Sequence, residues 1–280
     1  MIDLHTHSTC SDGTLSPHEL VRAAREAGVT HLALTDHDTV SGLAQASEEA
    51  EHLGMAFLGG LEISAEYQPG TMHILGYGIK AADGDLHESL EYVQRARRDR
   101  NPKIVANLNR LGVAVTMEDV TAEAGGTVVG RPHFAAALVR KGYVRSTQEA
   151  FDRYLAKGQP AYEQKVRLSP EESIRAIRSA GGVAVLAHPL QLKAEDDARL
   201  ESIVAGLAGE GLQGLECYYR NHTEADTARF LALARRHGLV PTGGSDFHGS
   251  NRPRIKLGTG EGTLSVPQTC WDKLVSVMRK

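Results

Sequence analysis

MIDLHTHSTCSDGTLSPHELVRAAREAGVTHLALTDHD, residues 1–38, is the stretch whose reading decides the fold. Met1 to Leu4 is apolar-rich and breaks into the polar run HTHSTCSDG, the pattern of a buried strand that emerges into a loop at its first histidine. Ser16-Pro17-His18-Glu19 then offers a helix start, with Ser16 as N-cap, Pro17 in the first turn and Glu19 closing a capping box. That helix ends near Gly28. HLALTDHD is a second strand ending in polar residues, and Val40 to Leu53 is a second helical pattern stopped at Gly54. This βαβα alternation predicts parallel strands.

Working outward, further strands are expected at Ala56–Ser64, Thr71–Gly78, Val183–Ala187, Leu212–Cys217 and Leu239–Gly243. Helices are expected around Pro170–Ala180, Ala198–Glu210, Glu224–His237 and Pro267–Met278. A total of about seven strands suits a barrel-like α/β fold. From about Asp83 to Lys165 the alternation stops and long helical patterns replace it, including RARRDRNPK, which Pro102 is expected to interrupt. The expected organisation is a barrel domain from 1–82 and 166–280, with 83–165 an inserted helical subdomain.

The 280 residues are 41% hydrophobic and 24% charged, the balance of a globular chain with one main core. A net charge of −4 argues against a broadly basic nucleic-acid surface, while leaving room for a small basic pocket for phosphates. Cys10, Cys217 and Cys270 are far apart and without CxxC spacing, which points to a reducing cytosol and a cytoplasmic location. The N-terminus lacks a basic segment followed by an apolar one, and no run approaches the ~18 apolar residues of a membrane span. No membrane or stable protein partner is implied.

His5 and His7 lie two apart on an extended segment, so both rings can face one side of it. Alone, such a pair could equally be strand histidines that hydrogen-bond or face solvent. The context adds Asp12 in SDG, Asp36-His37-Asp38, Glu62 in GGLEIS, His73 in TMHILGY, His188 in VAVLAHP, and Asp246 and His248 in GGSDFH. All sit at or near strand ends, which converge on one face of a parallel barrel. That many imidazoles and carboxylates would repel or desolvate badly without cations, so a metal cluster is the simplest explanation. Asp36 is expected behind the ligands, orienting an imidazole. His18, His52, His87 and His237 fall in helical patterns and His31 precedes a strand, so these five are assigned to surface or packing roles.

Together, IDLHTHSTCSDG, ALTDHD, GLEIS, VLAHP and GGSDFH resemble the PHP (polymerase and histidinol phosphatase) family of phosphoesterases over nearly the whole chain. GRPHFAAALV, YLAKGQPAY and AGGVAVLAHP resemble the branch containing 3′,5′-nucleoside bisphosphate phosphatases and RNase AM-type 5′→3′ exoribonucleases. The resemblance implies a distorted (β/α)₇ barrel holding up to three divalent ions. It implies a first metal on His5, His7, Glu62 and Asp246, with Glu62 bridging to a second on His73 and His188, and a third on Asp12, His37 and His248. Some family members carry histidine where this chain has Asp12, which should shift affinity or metal preference there. Mn²⁺ is favoured by resemblance, and Zn²⁺ or Fe²⁺ also suits imidazole and carboxylate donors.

Hydroxide bridging two divalent ions is a good nucleophile at neutral pH, because the ions lower its pKa and draw charge from phosphoryl oxygens; no covalent enzyme intermediate is expected. Arg131 and His133 in GRPHF are the leading candidates to clamp a second phosphate, with Lys165, Arg220 and His222 behind them. Asp36 and His222 are the candidate catalytic side chains outside the ligand set, His222 as proton donor to the leaving group. The expected reaction is removal of the 3′-phosphate from a 3′,5′-nucleoside bisphosphate such as pAp, giving AMP and phosphate. Stepwise hydrolysis of short 5′-phosphorylated RNA is the nearest alternative. An amidohydrolase-like deaminase or peptidase and a non-catalytic binding module are the readings from other classes.

Overall fold

The computed structural model describes residues 1–79, 84–124 and 128–279. Its seven-stranded sheet runs in chain order: β1 (Ile2–Asp3), β2 (His31–Leu34), β3 (Ala56–Ala65), β4 (Met72–Tyr77), β5 (Val183–Leu186), β6 (Gly214–Tyr219) and β7 (Val240–Gly244). Backbone hydrogen bonds from Leu4 N to Gly243 O at 3.1 Å, Asp246 N to His5 O at 2.8 Å and His7 N to Phe247 O at 3.0 Å bring the last strand back to the first, so the sheet curls into a barrel.

One strand departs from the parallel expectation: β4 is antiparallel to both β3 and β5. The reason is the connection. Only residues 66–71 separate β3 from β4, too short for the crossover that a parallel pair needs. Along the strands alternate residues divide between two cores: Leu32, Leu34, Ile74, Ala184 and Leu186 meet the surrounding helices, while Ala33, Leu75 and Val185 join Leu4 and Tyr77 in a second cluster.

The first helices are α1 (Pro17–Glu26) and α2 (Leu43–His52), and Ser16 and Glu19 form the expected capping box. After β4 come α3 (Gly84–Arg110), α4 (Met117–Thr121), α5 (Arg131–Arg140) and α6 (Thr147–Ala150), which runs on into a π-helical turn at Phe151–Leu155. The barrel resumes with α7 (Pro170–Ser179), α8 (Asp197–Gly209), α9 (Glu224–Arg236) and α10 (Gln268–Met278).

Pro102 does not interrupt α3, contrary to expectation. Leu86, Leu90 and Val93 are buried in the barrel's outer core, and Ile104 and Leu108 in a separate cluster that draws only on residues 104–161. Burying such side chains stabilises by about 1.5–3 kcal/mol each. Two anchored halves therefore outweigh the ~3 kcal/mol that an interior proline costs. The first turns of α3 thus belong by packing to the barrel; the expected boundary between 82 and 83 lies outside the described residues.

Candidate active site

The barrel rim gathers the histidines and acids. Segments just beyond β1, β2, β5 and β7 carry His5 and His7, His37, His188, and Asp246 and His248, while β3 and β4 themselves carry Glu62 and His73. Because β4 is reversed, His73 reaches the same rim from near its strand's beginning, opposite Ser64 of β3. A Cβ on Gly244 would collide with the main chain of His5, so only glycine lets β7 approach this closely. Asp38, His188 and Asp246 have φ of 53°, 26° and 56°, left-handed conformations that cost non-glycine residues energy and recur where side chains must be aimed.

Three groups of ligand atoms result. His5 Nε2 and His7 Nε2 both lie 3.3 Å from Glu62 Oε2, and they lie 3.6 and 3.3 Å from Asp246 Oδ1. On the other carboxylate oxygen, Glu62 Oε1 is 2.8 Å from His73 Nδ1 and 3.0 Å from His188 Nε2. Further out, His248 Nε2 is 3.1 Å from Asp12 Oδ1, and His7, Asp12, His37 and His248 offer atoms all within 4.8 Å of one another.

These spacings fit metal ions. A tetrahedral ion with donors ~2.1 Å away sets them about 3.4 Å apart. His5 Nε2, His7 Nε2, His37 Nδ1, His248 Nε2, Asp12 Oδ1 and Glu62 Oε2 are buried atoms without a hydrogen-bond partner, although they face one another at close range. Lone pairs converging within each group, with no proton aligned between them, suit cations. The protonation states divide: burial, then His248, pushes His7 down to about 3, and burial pushes His73 down to about 4, so both rings are neutral donors, whereas against the pull of burial Glu62, Glu216 and Asp246 hold His5 well above its ordinary value and Asp12 and Asp246 raise His248, protons that a bound cation would displace. Burial works against the Glu62 carboxylate, but His37, His73 and His5 hold it well below the usual range.

A layer of buried acids supports the rim. Glu216 Oε1 lies 3.0 Å from His5 Nδ1, which places that ring's proton on Nδ1 and frees Nε2 for the rim, while Oε2 accepts the His188 N–H at 2.7 Å. Asp246 Oδ2 accepts the Tyr219 hydroxyl at 2.6 Å and also faces Arg252. Asp3 accepts from Ser245 N, Ser245 Oγ and Gly258 N. None of Asp3, Glu216, Tyr219 and Arg252 was singled out from sequence. A lone acid in a buried strand such as GLECYY was nevertheless a readable signal, since acids are rarely buried unpaired.

Asp12, His37 and His73 are the half-buried members, and they open into a cavity of about 300 Å³ whose other walls include Arg97, Arg100, Arg131, His133, Phe151, Lys165 and Arg167. Asp38 pairs with Arg97 and, at 3.0 Å, with Lys165. Burial alone would raise its carboxyl, but Lys165 and Arg97 outweigh that and hold it well below the usual range. Among the described residues Arg100 meets only the neutral Asn101 amide, at 2.8 Å, and burial with Arg97 and Arg131 nearby pushes it down to about 9. Arg131 Nη1 donates to Leu155 O at 3.2 Å, and its guanidinium sits 4.7 Å over the Tyr162 ring. The cavity is therefore rich in cations and poor in counter-charges, an environment that attracts anions.

Three of the expected site residues stand outside the lining of the cation-rich cavity. Asp36 does not orient an imidazole: it accepts from Ser8 N at 2.8 Å, Ser8 Oγ at 2.6 Å and Ser11 Oγ, and so fixes the loop that carries Asp12. His222 lies apart from the cation-lined cavity, its Nδ1 on Cys217 O at 2.9 Å and Tyr219 standing 5.4 Å from it and 5.5 Å from His188. Arg220 points to Asp246 Oδ2 at 3.6 Å and donates to Tyr219 Oη at 3.1 Å, where a carboxylate already offsets its charge. His133 and Lys165 do line the cavity, although His133 spends Nδ1 accepting Gly130 N–H at 3.0 Å. Of the other five histidines, His18 and His237 face Glu49 and Glu201, His31 packs edge-on to Trp271, and His52 and His87 are exposed.

A rim of metal-spaced ligands opening into a cation-lined cavity defines a metal-dependent phosphoesterase. The chain belongs to the PHP domain family, whose model matches residues 3–157. It is 34% identical over 276 residues to a 3′,5′-nucleoside bisphosphate phosphatase of Chromobacterium violaceum, covering 98% of this chain and 96% of the relative. It is 36% identical over 260 residues to the 5′-3′ exoribonuclease Rnm of Escherichia coli, covering 91% and 87%. Its fold superimposes with a TM-score of 0.86 and 34% identity on the structure of an amidohydrolase from Chromobacterium violaceum with bound sulfate and no metal, across 99% of this chain and 96% of that one. No helix among the described residues is long and apolar enough to cross a membrane.

Proposed function

We propose that the protein removes the 3′-phosphate from 3′,5′-nucleoside bisphosphates such as pAp, using three divalent ions, with Mn²⁺ the first to test. His5, His7, Glu62 and Asp246 would hold one ion, Glu62, His73 and His188 a second, and Asp12, His37 and His248 a third. When bound, the ions would lower the pKa of water and draw charge from phosphoryl oxygens. The observation that carries the reading is the cavity, where Arg100, Arg131 and Arg167 stand beside the ligand-bearing rim without a carboxylate within ion-pair distance among the described residues. A substrate with one phosphate at the rim and a second among these cations satisfies both ends.

Each side chain then has a task. Arg131, pinned by Leu155 O and Tyr162, offers a pre-oriented guanidinium to the 5′-phosphate. Asp38 holds Arg97 and Lys165 in place at the cavity wall, and Phe151 supplies an apolar surface for the nucleoside. The helical insertion, taken as 83–165, carries Arg97, Arg100, Arg131, His133 and Phe151 and so brings the second phosphate site to the barrel's own rim.

A second reading, stepwise release of nucleotides from short 5′-phosphorylated RNA, is favoured by likeness to the exoribonuclease and needs the same two phosphate contacts. Phosphate release by metal-reconstituted protein from pAp, 5′-AMP, 3′-AMP and a short 5′-phosphorylated RNA separates them. Fast release from pAp with 5′-AMP as product is the expected result. Preferential RNA shortening would favour the nuclease, and inertness on all four would return attention to amide and deaminase substrates.

A further inference from the structure

Beyond the phosphate cavity lies a second, of about 250 Å³, and the two share Arg131 and Arg167 as a common wall. Its other walls include Tyr67, Tyr162, Lys157 and Glu66. Lys157 is exposed in the turn after the π-helical segment and has no acidic partner within ion-pair distance among the described residues. The Arg131 guanidinium lies against the Tyr162 ring, so it stands as a fixed partition between the two spaces. The row of positive charge thus continues past the place where a single 5′-phosphate would end.

Charge counting makes this specific. A phosphate monoester brings a charge of about −1.5 to −2 near neutral pH. Arg100, Arg131 and Arg167 already exceed that in the first cavity, and Lys157 adds a cation beyond the partition. A second phosphoryl group attached to the 5′-phosphate would extend past Arg131 and Arg167 towards Lys157. Glu66 is the one acid among the residues lining this second cavity, and it opposes such a group.

We propose that the second cavity is a subsite for an anionic group carried on the 5′-phosphate, so that 3′-phosphonucleotides ending in a 5′-diphosphate are substrates. This rests on the bisphosphate reading above. The chemistry is unchanged: water adds to the 3′-phosphorus, the P–O3′ bond breaks, O3′ takes a proton, and the 5′-diphosphate leaves intact on the nucleoside product.

The test compares kcat/KM for pAp and for adenosine 5′-diphosphate 3′-phosphate in the wild type, Lys157→Ala and Glu66→Gln. The wild type should use the 5′-diphosphate substrate at least as well as pAp, releasing ADP and phosphate. Lys157→Ala should lower kcat/KM for the 5′-diphosphate substrate about three- to fivefold, the size of an exposed ion pair, and leave pAp unchanged. Glu66→Gln should raise it by a similar factor, and both effects should shrink in added salt. Equal effects of Lys157→Ala on both substrates, or a 5′-diphosphate substrate much poorer than pAp, overturns the subsite while leaving the bisphosphate reading intact. Failure of the wild type to hydrolyse either compound overturns both.

Discussion

Replacing Glu216 with glutamine tests whether the rim is held from beneath. In the native chain one carboxylate oxygen lies 3.0 Å from His5 Nδ1 and the other accepts the His188 N–H at 2.7 Å, all fully or nearly fully buried. A glutamine has one acceptor oxygen, so its NH₂ must face either the His5 ring proton or the His188 N–H, donor against donor. Loss of one hydrogen bond to a charged group costs about 1.5–3 kcal/mol. If that cost falls on the ligand geometry, metal affinity should drop about 10–100-fold, the range seen when groups behind metal ligands are removed. Calorimetric titration of metal-free protein with Mn²⁺ measures it. The weakening should appear at the ions that His5 and His188 would hold and spare the one proposed for Asp12, His37 and His248, with near-UV circular dichroism reporting an intact fold. Unchanged affinities at every site in a folded variant would refute the reasoning, as would a loss confined to the third site.

Arg131→Ala should raise KM for pAp about 10–100-fold through loss of a charged hydrogen bond, with little change on a single-phosphate ester; equal loss on both would remove Arg131 from the phosphate clamp. Burial, followed by Arg97, pushes the Lys165 ammonium down to about 7 against the pull of Asp38, so its charge is present below that pH and lost above it. One limb of the pH profile of kcat/KM for pAp should therefore fall as pH rises through about 7, and Lys165→Arg, which stays charged, should move that limb to higher pH. Chelation should destabilise the fold: metal at about 100 times its Kd adds ~2.7 kcal/mol, a rise in Tm of roughly 5 °C that thermal melts with and without chelator would detect.

The segments that bring histidines and acids to the rim were legible because each joins two signals, an apolar strand and an abrupt polar ending, as in IDLHTHS and VAVLAHP. The direction of β4 was harder, since TMHILGY reads the same way whichever way it runs. The clue lay in the short connection from Ala65 to Met72, which has no room for a helix. Arg97 and Arg100 were hidden in RARRDRNPK, where dense charge normally marks a solvated helix face; only the tertiary position of Asp38 and of the rim makes that face an interior wall. The partner of Asp36 was not legible, because its neighbour in sequence, His37, is not what its carboxylate touches: it holds Ser8 and Ser11 instead.

The reversal of β4 sets a distance. That strand runs from the rim to the floor, and α3, which buries Leu86, Leu90 and Val93 in the barrel's outer core, must run along the outside of the barrel before its Arg97 can meet Asp38. At 1.5 Å per residue, Gly84 to Arg97 is a rise of about 20 Å, and the rest of the helix carries Ile104 and Leu108 into the second core. The helix is thus a ruler. One residue inserted or deleted between Val93 and Arg97 would turn everything above it by about 100° and shift it by ~1.5 Å, taking the guanidinium away from Asp38 while Leu86, Leu90 and Val93 stay anchored.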